Sequence, residues 1–205
     1  MTLVAVSKTF AADAVREARA AGQRDFGENK VQEALQKVAQ TAEIDVRWHL
    51  IGHLQSNKAK KAAGPFAWIH SMDSVDLLRR LDLAAAEAGA SPDVLVQVDL
   101  AGESTKYGAP ADEARRIADA AAEARAVRLA GLMLMPPWNE DQEQTRPWFV
   151  RLRELRDQWV ADGFPADRLR HLSMGMSHDF EAAIEEGATI VRVGTAIFGK
   201  RTVHP

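Results

Sequence analysis

Two hydrophobic rhythms alternate along this chain. Short runs rich in Val, Ile and Leu are each followed by stretches whose apolar residues recur three and four apart, the alternation of parallel strands joined by helical crossovers. Strands are predicted at 3–8 (LVAVSK), 24–28, 46–52, 67–73, 93–100, 127–136 (VRLAGLMLMP), 170–177 (RHLSMGMS) and 189–199 (TIVRVGTAIFG). Between them Val31, Ala34, Leu35 and Val38 share one helical face, as do Trp148, Leu152, Leu155 and Trp159, and Leu78 with Leu81 serves the stretch after Asp73. Asp73 or Ser74 can cap one helix, Pro110 opens another, and Gly22, Gly64, Gly89 and Gly187 punctuate helix ends. Eight such units predict a compact (β/α)8 TIM-type barrel forming one domain over residues 1–205, with a doubly wound open sheet as the structural alternative. No helix precedes the first strand in this reading, and only KRTVHP follows the last. The seam between the eighth and first strands is therefore expected to leave apolar residues exposed, so that either a second copy of the chain covers it or the barrel is looser there.

Composition narrows the function classes. With 46% hydrophobic residues in 205, one sizeable core is affordable, and the absence of cysteine excludes disulfides, thiolate catalysis and cysteine-ligated metals. A net charge of −3 gives no general pull toward nucleic acid, and Lys58, Lys60 and Lys61 read as a solvated helix face. The first residues lack a signal-peptide pattern and no apolar run approaches a bilayer span, so neither membrane nor secretion is indicated and a cytoplasmic address is expected.

Candidate chemistry gathers at predicted strand ends. Lys8 closes LVAVSK, with Val4 and Val6 on its own face, so its amine is expected at the carboxyl, active end of a barrel. A lysine in such a partly apolar place can form an imine with an aldehyde or ketone, while one that merely snorkels outward is the competing reading. SMGMS (173–177) and RVGT (192–195) put glycine and hydroxyl residues where main-chain N–H groups can cup a phosphate, the usual site after the seventh and eighth barrel strands. The alternative for Ser177 is a helix N-cap, with Asp179 and Glu181 in the first turn. Arg192, in an otherwise apolar strand, needs a partner: a ligand, or a carboxylate such as Glu28. His49 and His53 are four apart but lack the helix that would make them a metal pair, and no Walker loop, dinucleotide fingerprint or serine elbow occurs.

The strings LVAVSKTF, DFGENKVQEA, WHLIGHLQSNK, IHSMDS, GESTKYG, GLMLMPP and LSMGMSHDFEAAIEEGATIVRVGTAIFGKR resemble, in order, those of the pyridoxal phosphate homeostasis protein family. The resemblance spans almost the whole chain. It implies a barrel of the alanine racemase amino-terminal type holding pyridoxal 5′-phosphate, with Lys8 as the imine lysine. Ser177, Gly194 and Thr195 then match the phosphate-holding positions, with Met174 and Gly175 of MGMS placed beside them. Arg192 matches the arginine facing the pyridine nitrogen, and Asn29 lines the same pocket. No residue is assigned a catalytic role and no metal is expected. Two departures stand out: members usually carry a helix before AVSK, and Lys30 occupies a place where an aromatic is common.

A guanidinium can only donate to the pyridine nitrogen, which leaves that ring unprotonated and a poorer electron sink. Racemases of this fold add a tyrosine base from a further domain, whereas the one tyrosine here, Tyr107, reads as a loop residue. The resemblance therefore implies cofactor binding in vitamin B6 homeostasis, with an amino-acid racemase as one rival. A cofactor-free aldolase acting on a phosphorylated sugar is the other. Implied partners are pyridoxal 5′-phosphate and enzymes that need it, with the chain a monomer or a seam-mediated homodimer.

Overall fold

The computed structural model describes residues 1–102 and 107–199. Residues 103–106 of the GESTKYG string and the tail from 200 onward, including TVHP, lie outside the described residues. Among the described residues eight strands form: β1 (Thr2–Val6), β2 (Asp25–Glu28), β3 (Arg47–Leu50), β4 (Trp68–Met72), β5 (Asp93–Val98), β6 (Arg128–Leu134), β7 (His171–Ser173) and β8 (Ile190–Val193). All pair in parallel and in chain order, and β8 closes on β1 with Thr2 opposite Ile190 and Val4 opposite Arg192. A barrel, not an open sheet, is the result.

The crossovers hold the helices α1 (Ala12–Ala20), α2 (Val31–Gln40), α3 (Ala59–Ala62), α4 (Val75–Ala88), α5 (Ala111–Ala122), α6 (Arg146–Ala161) and α7 (Phe180–Glu185). Ser74 caps α4 by accepting the Leu77 N–H at 3.3 Å, and Gly89 ends it in the left-handed conformation (φ +63°) that a side chain disfavours. Pro110 opens α5. Ala34, Leu78, Leu81 and Leu152 are fully buried, placing the predicted helical faces on the sheet. Lys60 is exposed and pairs with Glu87 at 3.1 Å.

The strands stop sooner than predicted at the carboxyl end, and each stop has a cause. β7 ends at Ser173 because Gly175 turns the chain at φ +91°. β8 ends at Val193, where Gly194 starts a single helical turn, α8 (Thr195–Phe198). That turn corrects the expectation that no helix follows the last strand. It also changes the seam: Phe198 packs on Phe10 with ring centroids 5.2 Å apart, and Ala5, Val191 and Val193 are buried. Leu3, 41% exposed, is the residue of these two strands that fits the expected exposed seam.

Two apolar clusters result. The larger fills the layer between strands and helices. The smaller, inside the barrel, contains Val4, Leu95, Ala130, Met133 and Ile190, with Trp68 and Met135 against it. The rest of the interior is polar, where branched aliphatic layers are usual: His49, His70 and Ser173 are completely buried there and Arg192 nearly so.

Candidate functional site

A cavity of about 610 Å³ opens at the carboxyl ends of the strands. Lys8 and Val6 line it from β1 and its loop, Asn29 from the loop after β2, and Ile51, Gly52 and His53 from that after β3. Gln97, Tyr107, Met133, Met135 and Trp138 form the far wall, and Met176, Ser177, His178, Arg192, Gly194 and Thr195 complete it from the last two units.

Lys8 is half-buried in the turn after β1. Because the strand ends at Val6, strand alternation does not reach Lys8 as the sequence reading assumed; a turn presents it instead. That turn is clamped on both sides. Before it, Lys37 Nζ donates to the Ser7 carbonyl at 2.7 Å and to Glu28 Oε1 at 2.6 Å, and Ser7 Oγ donates to the same Glu28 oxygen at 2.7 Å. After it, the Thr9 N–H donates to Glu33 Oε1 at 2.7 Å. Among the described residues Thr9 is the only non-glycine with positive φ, at +71°. Such backbone costs about 1–3 kcal/mol and persists where its surroundings enforce it, as Glu33 and Lys37 do here.

This arrangement overturns one alternative, the Arg192–Glu28 ion pair, because Glu28 is already taken by Lys37 and Ser7. Arg192 instead donates from Nη1 to Ser173 Oγ at 2.6 Å and from Nη2 to the Leu134 carbonyl at 2.9 Å. Among the described residues no carboxylate lies within ion-pair distance of it. Burial pushes its pKa down to about 10, against the field of Asp179, so it stays a cation at neutral pH. Arg192 is thus a buried cation that lines the cavity and is held by the neutral oxygens of Ser173 and Leu134.

The loops after β7 and β8 are tied together by Ser177, whose Oγ accepts the Gly194 N–H at 3.0 Å. Ser177 is thus not the helix N-cap; Asp179 holds that position for α7, and its Oδ1 accepts the Met176 N–H at 2.6 Å. Lys8, Asn29, Ser177, Arg192, Gly194 and Thr195 are brought to one cavity. Met174 and Gly175 are not on its wall: Met174 is fully buried in the outer core, and Gly175 permits close packing. A Cβ on Gly175 would lie 2.6 Å from Ala183 Cβ.

Sequence reasoning missed the rim. Tyr107, 59% exposed, stacks on His53 with ring centroids 3.8 Å apart, and His53 Nδ1 lies 2.9 Å from Asp73 Oδ2. The GESTKYG and HLIGH strings contained both residues, yet nothing in their spacing showed that these two loops meet. His49, correctly placed on a strand, lies inside the barrel beside His70.

A barrel with this clustering at its carboxyl mouth matches the family model of the alanine racemase amino-terminal domain over residues 1–202. The chain belongs to the pyridoxal phosphate homeostasis protein family. It is 44% identical over 199 residues to the pyridoxal phosphate homeostasis protein of Aquifex aeolicus, covering 97% of this chain and 86% of that protein. With the protein of that name from Pseudomonas aeruginosa it shares 46% over 200 residues, covering 97% and 84%. PipY of Synechococcus elongatus, solved with pyridoxal phosphate bound, superposes with a TM-score of 0.90 at 44% identity, over 97% of this chain and 92% of that one. Among the described residues no helix is long and apolar enough to cross a membrane.

Proposed function

We propose that this protein binds pyridoxal 5′-phosphate in the carboxyl-end cavity and serves to hold and supply it, in the cytoplasm, for enzymes that need it. The observation that carries the reading is the meeting, in one cavity, of an amine, a buried guanidinium and a hydroxyl-rich lip. Bound there, the cofactor supplies an aldehyde that an amine captures reversibly. Lys8 is the amine; Arg192 donates toward the ring nitrogen; Ser177, Gly194 and Thr195 take the phosphate, and Asn29 lines the ring's edge. The relatives' names and the pyridoxal phosphate bound to PipY support this assignment.

The racemase reading asks Tyr107 to act as a second base. Its ring is stacked on His53 at an exposed rim, which favours binding without turnover. The test is direct. Purified protein given pyridoxal 5′-phosphate is expected to turn yellow and to bleach with borohydride, and Lys8→Ala to lose the reducible adduct while keeping weak, phosphate-anchored binding. A full reducible adduct in Lys8→Ala would overturn the assignment.

A further inference from the structure

Through the barrel runs one unbroken line of polar contacts. Arg192 Nη1 lies 2.6 Å from Ser173 Oγ, and Ser173 Oγ lies 2.9 Å from His70 Nδ1. His70 Nε2 lies 3.0 Å from His49 Nδ1, and His49 Nε2 lies 2.9 Å from Asp25 Oδ1. Asp25 Oδ2 in turn accepts from Arg47 at 2.7 Å, at the far mouth of the barrel. Ser173, His70 and His49 are completely buried, so no water competes for these bonds. The line joins four strands, β8, β7, β4 and β3, to Asp25 on β2.

The chemistry of the end groups gives the line a direction. A guanidinium can only donate and an ionised carboxylate can only accept. Ser173 Oγ therefore accepts from Arg192, and its own hydrogen goes to the lone pair of His70 Nδ1. His70 must then carry hydrogen on Nε2 and donate to His49 Nδ1. His49, likewise hydrogen-bearing at Nε2, donates to Asp25. With both rings neutral, this is the one arrangement of hydrogens that satisfies every atom of the line, working back from the carboxylate. Burial depresses both histidines, His70 well below the ordinary value with help from His49 and Arg192, and His49 in spite of the hydrogen bond to Asp25. For Asp25, burial acts upward, but the hydrogen bonds from His49 and Arg47 outweigh it and hold the carboxylate ionised.

We infer that His70 and His49 are positioning residues: through Ser173 they fix the Arg192 guanidinium and connect it to a carboxylate far enough away to leave its remaining donors for the ligand ring. An adjacent carboxylate would hold the guanidinium equally well but would compete with the ligand for the same hydrogens. The relay orients Arg192 without that competition. The inference rests on the reading of Arg192 as the group that meets the cofactor's ring, and Ser177, Gly194 and Thr195 stand outside the relay.

Two measurements test it. In the cofactor-free protein at pH 7, nitrogen NMR of the histidine rings is expected to show His49 and His70 neutral with hydrogen on Nε2; a charged ring, or hydrogen on Nδ1 of either, would overturn the relay whatever the cofactor does. In the second, His70→Leu removes the acceptor for Ser173, and pyridoxal 5′-phosphate affinity should fall about tenfold, as the misplaced guanidinium loses its hydrogen bond to the ligand ring. Inorganic phosphate, which lacks the ring, should compete as well as in the wild type. His70→Asn, which restores an acceptor toward Ser173, should recover most of the loss. Unchanged pyridoxal 5′-phosphate affinity in His70→Leu, or equal weakening of both ligands, would refute the positioning role. If His70→Leu fails to fold, His70→Asn compared with His70→Gln, whose longer arm misplaces that acceptor, reads the same ring-selective difference. A wild-type protein that takes up no pyridoxal 5′-phosphate would refute the functional reading instead, while the ring tautomers still decide the relay's direction.

Discussion

Single residues at the cavity lip divide their work between the ligand and the protein itself. Ser177 offers one hydroxyl, and its oxygen already accepts the Gly194 N–H, so it both joins two loops and stands ready for a phosphate. Thr195 is exposed at the start of α8. Because a hydrogen bond to a charged group is worth about 1.5–3 kcal/mol, Ser177→Ala with Thr195→Val should weaken pyridoxal 5′-phosphate binding at least tenfold by titration, with the borohydride-reducible adduct still formed at saturating cofactor. Unchanged affinity would place the phosphate elsewhere. The strings AVSK, MGMS and RVGT made these positions legible, since motif spacing and strand ends both pointed to them. The polar interior was not legible. His49 and His70 meet because β3 pairs with β4, and closure of the barrel brings Ser173 on β7, 103 residues from His70, against it. No local spacing encodes that meeting, and the four-residue interval from His49 to His53 pointed only to a metal pair to be rejected.

Among the elements, the unit from β7 to α7 shows how a residue off the cavity can still govern it. Gly175 sits at φ +91°, and a Cβ there would lie 2.6 Å from Ala183 Cβ and 3.1 Å from Phe180 Cα, both belonging to α7. Met176, Ser177 and His178, which line the cavity, occupy the short link between this glycine and that helix. Gly175→Ala must therefore strain the turn or push α7 outward. A stability loss of about 1–3 kcal/mol is expected from the backbone conformation alone, measurable by urea denaturation, with cofactor binding weakened although no lining side chain has changed. Full stability in this variant would mean that the turn relaxes freely. The existence and order of all eight strands were legible from β-branched runs and helical spacing. Their carboxyl ends were not, because apolar residues continue past Ser173 and Val193 while the backbone has already turned at a glycine.

For the whole molecule, the buried relay couples stability to pH in a defined sense. His49 and His70 are held below the ordinary histidine value, chiefly by burial. Above about pH 6.5, the unperturbed histidine value, both rings are neutral folded or unfolded, and their contribution to stability is fully present. As pH falls below that value, the unfolded chain takes up protons that the folded rings refuse, so stability declines by up to about 1.4 kcal/mol per pH unit for each ring. Asp25 acts in a lower window: its folded pKa is depressed, so its contribution is lost only as pH falls through and below the ordinary carboxylate range. Glu28 and Asp73, both raised by burial, have the opposite sign and begin to offset the loss as pH nears that range. The histidine effect therefore stands clearest between about pH 6.5 and 5. Urea denaturation of the cofactor-free chain at pH 7, 6 and 5 should show falling stability, and His70→Asn should flatten the slope by one proton while lowering stability at pH 7. A wild-type curve level across this range would mean that the folded rings accept protons where they lie, which the directed line from Arg192 to Asp25 does not allow.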